Sequence, residues 1–242
     1  MLLSWYYRLP HAVRWHLAPL WSPRSVARLR RECRETDGLY HGYVRRQAIF
    51  IHIPKCAGNS VKRVIYGKER FAHRDVRDLQ RMFSPQDFSR YLKFTVVRNP
   101  WDRVVSAWHY LRSQDCPPGD QQWAAQHLSP YADFGDFVRN GLWRPEIRAK
   151  HHFRPQVSYL RLPGQNELLV DHICRVETLQ QDLDKVLVAL GLPKAPLNRD
   201  NASIHHDYRA YYDEQTRAIV AEHYREDIAA FGYGFEPREA PP

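Results

Sequence analysis

The sequence predicts an α/β fold, a parallel sheet flanked by helices. Two observations predict it. Short runs of β-branched and aromatic residues alternate with segments of helical period along the chain. Two of those runs lead into residue types that start helices, one at 54–60 and one at 98–100. No internal repeat, low-complexity tract or long linker interrupts the pattern, so residues 1–242 read as one domain. Within it, residues 1–47 form a basic, aromatic extension packed on or near the core.

The elements follow in order. Residues 22–36, "SPRSVARLRRECRET", read as a basic helix with Ser22 as N-cap and Pro23 in the first turn. "AIFIHI" (48–53) is a strand, and "GNSVKRVIYG" (58–67) continues as a helix. Residues 72–91 are polar with two short helical patches. "LKFTVV" (92–97) is a second buried strand. "NPWDRVVSAWHYLRSQ" (99–114) is a helix with Asn99 as N-cap and Pro100 at its first position.

"CPPGDQQ" (116–122) reads as a loop and "DFGDFVRNGLW" (133–143) as helical. "LLVDHICRVE" (168–177) is a third strand. In "TLQQDLDKVLVALGL" (178–192), Leu179, Leu183, Val186, Leu187 and Leu190 share one helical face, and Gly191 ends the helix. "NRDNASIHH" (198–206) is a polar loop that holds His205 and His206. Residues 213–233 make one last helix.

The formal net charge is +9, which favours anionic partners such as nucleotides, nucleic acid, acidic glycans or a membrane surface. Cysteines 33, 56, 116 and 174 form no C-x-x-C pair, which excludes a zinc ribbon and leaves no disulfide framework. Arg8, Pro10, Arg14 and His16 interrupt the apolar N-terminus before it reaches the roughly 18 residues of a membrane span. That segment suits two placements, packed on the domain or lying on a membrane surface. With no span or signal peptide, the expected location is cytoplasmic.

Two stretches carry chemistry. "PKCAGNS" (54–60) joins a strand to a helix, and backbone N–H groups at such a turn are unpaired and suit an anion. Gly58 allows close backbone approach, Asn59 and Ser60 add donors, and Lys55 adds a point charge. No G-x-x-x-x-G-K-[ST] loop occurs. In "RNPWDRVVS" (98–106), Arg98 ends a strand with a planar fork suited to phosphate. Ser106 lies eight residues on, roughly two helical turns. In open α/β sheets ligands bind beyond the carboxyl ends of strands, so both stretches are expected in one crevice. A ligand with phosphates at both ends of a nucleoside fits two anion sites better than ATP does. Asp102 and Arg103 read as an ion pair bracing the helix.

These residues carry a resemblance. "FIHIPKCAGNS" followed by "FTVVRNPWDRVVSAWHYL" resembles the carbohydrate sulfotransferases of sulfotransferase family 2, as do "HFRPQVSYL" and the segment 200–235. The resemblance covers about residues 48–235, with its motifs in order. It implies the P-loop-like sulfotransferase fold and 3′-phosphoadenosine 5′-phosphosulfate (PAPS) as sulfuryl donor. By the same resemblance Lys55, Cys56, Ala57, Gly58, Asn59 and Ser60 cradle the 5′-phosphosulfate, while Arg98 and Ser106 hold the 3′-phosphate. The family often has Thr at the positions of Cys56 and Asn59, and this chain departs from it at both.

The acceptor hydroxyl needs a general base. His73 comes first, because it lies between the two motifs where related enzymes place their base. His152, with Gln156 as a substrate-facing neighbour, is second, and Asp75 third. Glu177 reads as a helix cap. Lys55 neutralises the leaving phosphate oxygen. No metal is expected, because no acidic cluster is present to hold one. The expected acceptor is a carbohydrate or other hydroxyl compound, anionic or not, and no nucleic acid. A nucleotide kinase or NTPase, and a nucleic-acid-binding module, are the competing classes. The first lacks its Walker lysine and acidic magnesium ligand, the second any recognised motif.

Overall fold

In the computed structural model the described residues are 4–67, 72–197 and 207–236. In chain order they form α1 (Ser4–Arg8), α2 (His11–Trp21), α3 (Pro23–Arg34), α4 (His41–Arg46), β1 (Ala48–Ile51), α5 (Gly58–Tyr66), α6 (Val76–Met82), α7 (Pro85–Arg90) and β2 (Leu92–Val97). Next come α8 (Pro100–Arg112), α9 (Pro118–His127), α10 (Phe134–Asn140), α11 (Pro145–Ala149), α12 (Val157–Leu160) and β3 (His172–Arg175). Finally come α13 (Leu179–Ala189), α14 (Glu214–His223) and α15 (Arg225–Phe231). The chain folds into two compact units. One is Met1–Ile53, Ala57–Val97 and Val157–Asp200; the other is Pro54–Cys56, Arg98–Gln156 and Asn201–Pro242.

The first unit holds a parallel three-stranded sheet in the order β1-β2-β3. Ala48 pairs with Leu92 and Ile51 with Thr95; Phe94 pairs with His172 and Val97 with Arg175. β1 is buried throughout and β2 nearly so, as expected of near-continuous apolar runs in a parallel sheet. The carbonyls of β1 that face away from β2 still need donors. Two tyrosines supply them: Tyr43 Oη donates to Phe50 O (2.7 Å) and Tyr66 Oη to Ala48 O (2.9 Å).

β1 is shorter than the expected 48–53, because the chain turns after Ile51, whose carbonyl accepts from Thr95 Oγ1 (2.8 Å). β3 is shorter than 168–177. Leu169 N bonds Leu160 O instead of a strand, and Asp171 clamps Lys93 through its backbone N (2.7 Å) and its side chain (2.6 Å). α13 has the expected face, with Leu183, Val186 and Leu187 buried, and Gly191 takes the left-handed conformation (φ 66°) that ends it. Ser22 precedes α3 but makes no capping hydrogen bond.

The second unit is built on α8. Asn99 caps it as expected, its side chain accepting from Trp101 N (3.1 Å). Trp101, Val104, Trp108 and Leu111 bury one side of α8 in a core shared with Phe134, Phe137, Phe153 and Val220. Trp108 stacks on Phe137 with ring centroids 4.8 Å apart. Two expectations need correction here. The loop expected at 116–122 is the start of α9 from Pro118 on, because Pro118 enters a first turn where its missing N–H costs nothing. The single last helix is two, α14 and α15, divided at Tyr224. That residue leaves helical geometry (φ −111°, ψ 25°), is buried, and donates its hydroxyl to Phe153 O (2.8 Å).

All four cysteines are buried, and none is in a disulfide. Among the described residues no helix is long and apolar enough to cross a membrane.

Candidate active site

The loop between β1 and α5 is bent by two non-glycine residues in the left-handed region, Lys55 (φ 68°) and Ala57 (φ 53°). Each costs of order 1–2 kcal/mol, strain that concentrates at functional sites. Ala57 is the N-cap of α5, and no side chain caps that helix. Its first N–H groups therefore depend on partners other than a capping side chain. Asn59 is exposed and Ser60 half-buried in that first turn. Gly58 is helical and does not use positive φ. Its missing side chain matters for another reason: a Cβ there would lie 2.0 Å from Nε2 of His52. The close approach expected at this glycine is made by an imidazole of the same unit.

His52 is buried and stacks on Phe50 (5.3 Å between centroids, 20° between planes). Its ring also meets that of the exposed His73, with ring centroids 4.1 Å apart. Nδ1 of His73 lies 3.0 Å from the backbone carbonyl of His52. A carbonyl only accepts, so Nδ1 carries the proton. In the neutral ring the lone pair is then on Nε2. This is the tautomer a general base needs if Nε2 is to take a proton. Asp75 has a different job. It is the buried N-cap of α6, accepting from Arg77 N (3.1 Å) and Asp78 N (3.3 Å) and paired with the Arg77 guanidinium. Its oxygens are committed to the helix start.

In the second unit Lys55 and Arg98 come together. Arg98 Nη1 donates to Lys55 O at 3.2 Å. Nζ of Lys55 stands 3.9 Å above the ring centroid of Tyr110 on α8, a cation–π contact. Burial, and next the charge of Arg98, push the Lys55 ammonium down to about 8. Arg98 itself is gripped by Asp102 through Nε–Oδ2 (2.7 Å) and Nη2–Oδ1 (2.8 Å). Asp102 was expected to pair with Arg103, and the structure corrects this. Residues 98 and 102 are spaced i, i+4, about one helical turn, which brings their side chains together. Arg103, buried, points to Pro54 O (3.1 Å) and Arg154 O (2.9 Å). It thereby holds the backbone just before Lys55. Ser106 is buried on α8.

Gln156, expected to face substrate, is wholly buried and clamps backbone instead. Its Oε1 accepts from Arg98 N (2.9 Å) and Cys56 Sγ (3.4 Å), and its Nε2 donates to Arg98 O (2.9 Å). Its own N–H is taken by Asp227 Oδ2 (2.8 Å). One amide thus fixes both backbone groups of Arg98 and ties them to Cys56, the position where the resembling family often has Thr.

His152 is buried beside Tyr110 (5.4 Å) and His151 (4.0 Å), with Nε2 3.9 Å from Asp120 Oδ2. Asp120, His151 and His152 bring potential ligand atoms within 4.8 Å of one another. Lys150 Nζ is already 2.7 Å from Asp120 Oδ1, and supplies the cation there. Glu177 is exposed in a 3-10 turn, and neither that turn nor α13 has a side-chain cap; Asp182 instead accepts from Thr178 Oγ1 (2.6 Å) and Arg175 N (3.1 Å). His205 and His206 lie outside the described residues.

A sequence model of the sulfotransferase family matches residues 45–234, a span that holds both loops. The chain belongs to the sulfotransferase family. It is also 29% identical over 122 residues to an uncharacterized protein of Archaeoglobus fulgidus, covering 50% of this chain and 86% of that one. No solved structure matches.

In this sulfotransferase, reading the sequence missed His52 in the first unit and Tyr110 in the second, and gave Gln156 a role that the structure does not bear out. His52 stood in plain view in "IHIPK", yet nothing local says that its ring covers Gly58. Tyr110 lies four residues past Ser106, one turn along the same helix, but nothing local says that its ring meets Lys55. No sequence signal marked Gln156 as a backbone clamp, because its partners are 58 and 100 residues away.

Proposed function

We propose that this sulfotransferase moves the sulfuryl group of PAPS to a hydroxyl of a carbohydrate-type acceptor and releases 3′-phosphoadenosine 5′-phosphate (PAP). The observation that carries the reading is the Lys55–Arg98 pair. It comprises two cations in one unit, one backbone hydrogen bond apart, with Arg98 held on its backbone by Gln156 and on its side chain by Asp102. The donor set fits a doubly phosphorylated nucleotide in its chemistry: an arginine fork, a lysine and a helix N-terminus without a side-chain cap.

In this reading PAPS supplies an activated sulfuryl group on a phosphate leaving group. Arg98 and Ser106 bind the 3′-phosphate. Lys55 and the turn from Cys56 to Ser60 bind the 5′-phosphosulfate. Nε2 of His73 accepts the acceptor's hydroxyl proton as that oxygen bonds to sulfur and the S–O bond to the phosphate breaks. The Lys55 ammonium stabilises the charge left on the phosphate oxygen. His152, buried against Asp120, is the alternative base. The charge of +9 favours acceptors that are themselves anionic. Every cation in this scheme is a side chain, so binding needs no divalent metal.

Calorimetry with PAP in the presence of EDTA tests the donor site, and transfer of labelled sulfuryl from PAPS across a panel of acceptors tests the reaction. Binding without metal, with label appearing on a sugar hydroxyl, is the expected result. PAP binding that appears only with magnesium would overturn the donor reading in favour of a nucleotide kinase. PAP binding with label only on non-sugar hydroxyls would overturn the acceptor class.

A further inference from the structure

The large apolar side chains exposed among the described residues are unevenly distributed. Trp5 (51% exposed), Val13 (42%), Leu20 (73%) and Trp21 (54%) fall within 17 residues of chain, while Trp143, Ile173 and Val188 lie far apart in sequence. Isolated exposed apolar residues are ordinary, whereas a cluster marks an interaction surface. This cluster is built by α1 and α2. α2 buries Arg14 and Ala18 and packs on α3, α6 and α7. Val13, His16 and Leu20, spaced i, i+3 and i+7, fall on the opposite, exposed stripe. At the end of the helix Trp21 meets Trp5 edge-on with centroids 6.1 Å apart, and Tyr6 at 4.9 Å. Tyr6 is buried and donates its hydroxyl to Arg14 O (3.1 Å), which anchors α1 to α2. The two exposed indoles are therefore held side by side on a packed support.

Charge selects what covers this face. Residues 1–31 contain six arginines, at 8, 14, 24, 28, 30 and 31, and no acidic residue; the first is Glu32. Arg14 and Arg30 are occupied internally: Arg14 Nε donates to Leu9 O, and Arg30 donates to Trp15 O and Arg81 O with its guanidinium over the Trp15 ring. Arg8, Arg24 and Arg28 are exposed, the last two one turn apart just past Trp21. A second copy of this chain would set arginines against arginines. An anionic bilayer surface meets both features at once. Indole rings favour the headgroup boundary, leucine and valine reach the acyl chains, and arginines pair with lipid phosphate and carboxylate groups.

We propose that α1, α2 and the start of α3 form a docking face for an anionic lipid surface, on which the chain lies without crossing. The proposal is independent of the sulfotransferase chemistry, and its test needs no substrate. The full chain is floated with phosphatidylcholine vesicles and with vesicles in which about one-third of the lipid is phosphatidylserine, at low and physiological salt. Three variants are compared. Val13→Ser/Leu20→Ser removes exposed apolar groups from the helix's solvent stripe, Trp5→Ala removes one indole, and Arg24→Glu/Arg28→Glu reverses the charge.

The expected result is flotation with the anionic vesicles and weaker flotation with the neutral ones. Affinity falls roughly tenfold or more in the apolar and the charge variants, with circular dichroism and melting unchanged. Salt weakens binding of the parent chain more than that of the charge variant. Absence of flotation with either vesicle overturns the proposal. So does equal binding to both vesicles, or full binding by all three variants. Concentration-dependent self-association that the Val13→Ser/Leu20→Ser change abolishes would reassign the face to protein contact and equally overturn it.

Discussion

His73 donates its Nδ1 proton to the backbone carbonyl of His52, 3.0 Å away, while the His52 ring lies across both His73 and the Cα of Gly58. A main-chain carbonyl cannot rotate away or change its protonation, so it fixes the His73 tautomer more firmly than a side chain would. Two tests follow from this one contact.

The first concerns the proton. Replacing His73 by Ala leaves PAP affinity unchanged and lowers turnover by roughly 10²–10⁴-fold, the usual worth of a general base. The acid limb of the pH–rate profile disappears with it. Long-range nitrogen–proton NMR reads the tautomer of His73 directly, without substrate, and should find the proton on Nδ1. A proton on Nε2, or an acid limb that survives in His73→Ala and vanishes in His152→Ala, would transfer the role to His152.

The second concerns Gly58. A methyl group there would sit 2.0 Å from His52 Nε2. Gly58→Ala therefore costs about 1–3 kcal/mol through overpacking, measured by denaturant unfolding. In a His52→Ala background the obstacle is gone and the same change costs less than about 0.5 kcal/mol, the scatter expected of uncoupled sites. Equal costs in both backgrounds would mean that the glycine serves something other than this ring.

Lys55 is expected to impose a falling alkaline limb. Its ammonium titrates at about 8, below the ordinary lysine value. The sign is direct: below that pH the cation that stabilises the leaving oxygen is present, and above it the cation is lost. Rate should drop as pH rises through about 8. The face of Tyr110 favours the charged form. Tyr110→Leu therefore moves the limb to lower pH, whereas Tyr110→Phe, which keeps the ring, leaves it in place. A limb unmoved by Tyr110→Leu would show that the ring contact does not tune the lysine.

Arg98→Ala is expected to weaken PAP binding by roughly 2–5 kcal/mol, the cost of removing one partner of a buried charged contact. Gln156→Leu tests the support beneath it. That change strips hydrogen bonds from both backbone groups of Arg98, at about 1–3 kcal/mol for each buried group left unpaired. Calorimetry should then show weaker PAP binding alongside a lower melting temperature. A lower melting temperature with unchanged PAP affinity would limit Gln156 to a structural role.

Sequence alone determined what local chemistry controls. The runs at 48–53 and 92–97 read as strands because β-branched and aromatic residues bury both faces, although the first ends as a strand at Ile51. α8 starts at Pro100 because Asn99 caps it and proline needs no N–H there. α13 ends at Gly191 because glycine tolerates the left-handed conformation. The loop motifs and their family were legible for the same reason: they are contiguous. Tertiary structure decided the rest. It chose Asp102 over a free fork for Arg98, put the His52 ring where a Gly58 side chain would be, made Gln156 a clamp, set Lys55 on Tyr110, and broke the last helix at Tyr224. Each of these depends on which side chains meet after packing. Helical period and capping act over one turn of chain, whereas a buried hydrogen bond or a ring contact is settled by whatever the fold brings within about 3–4 Å.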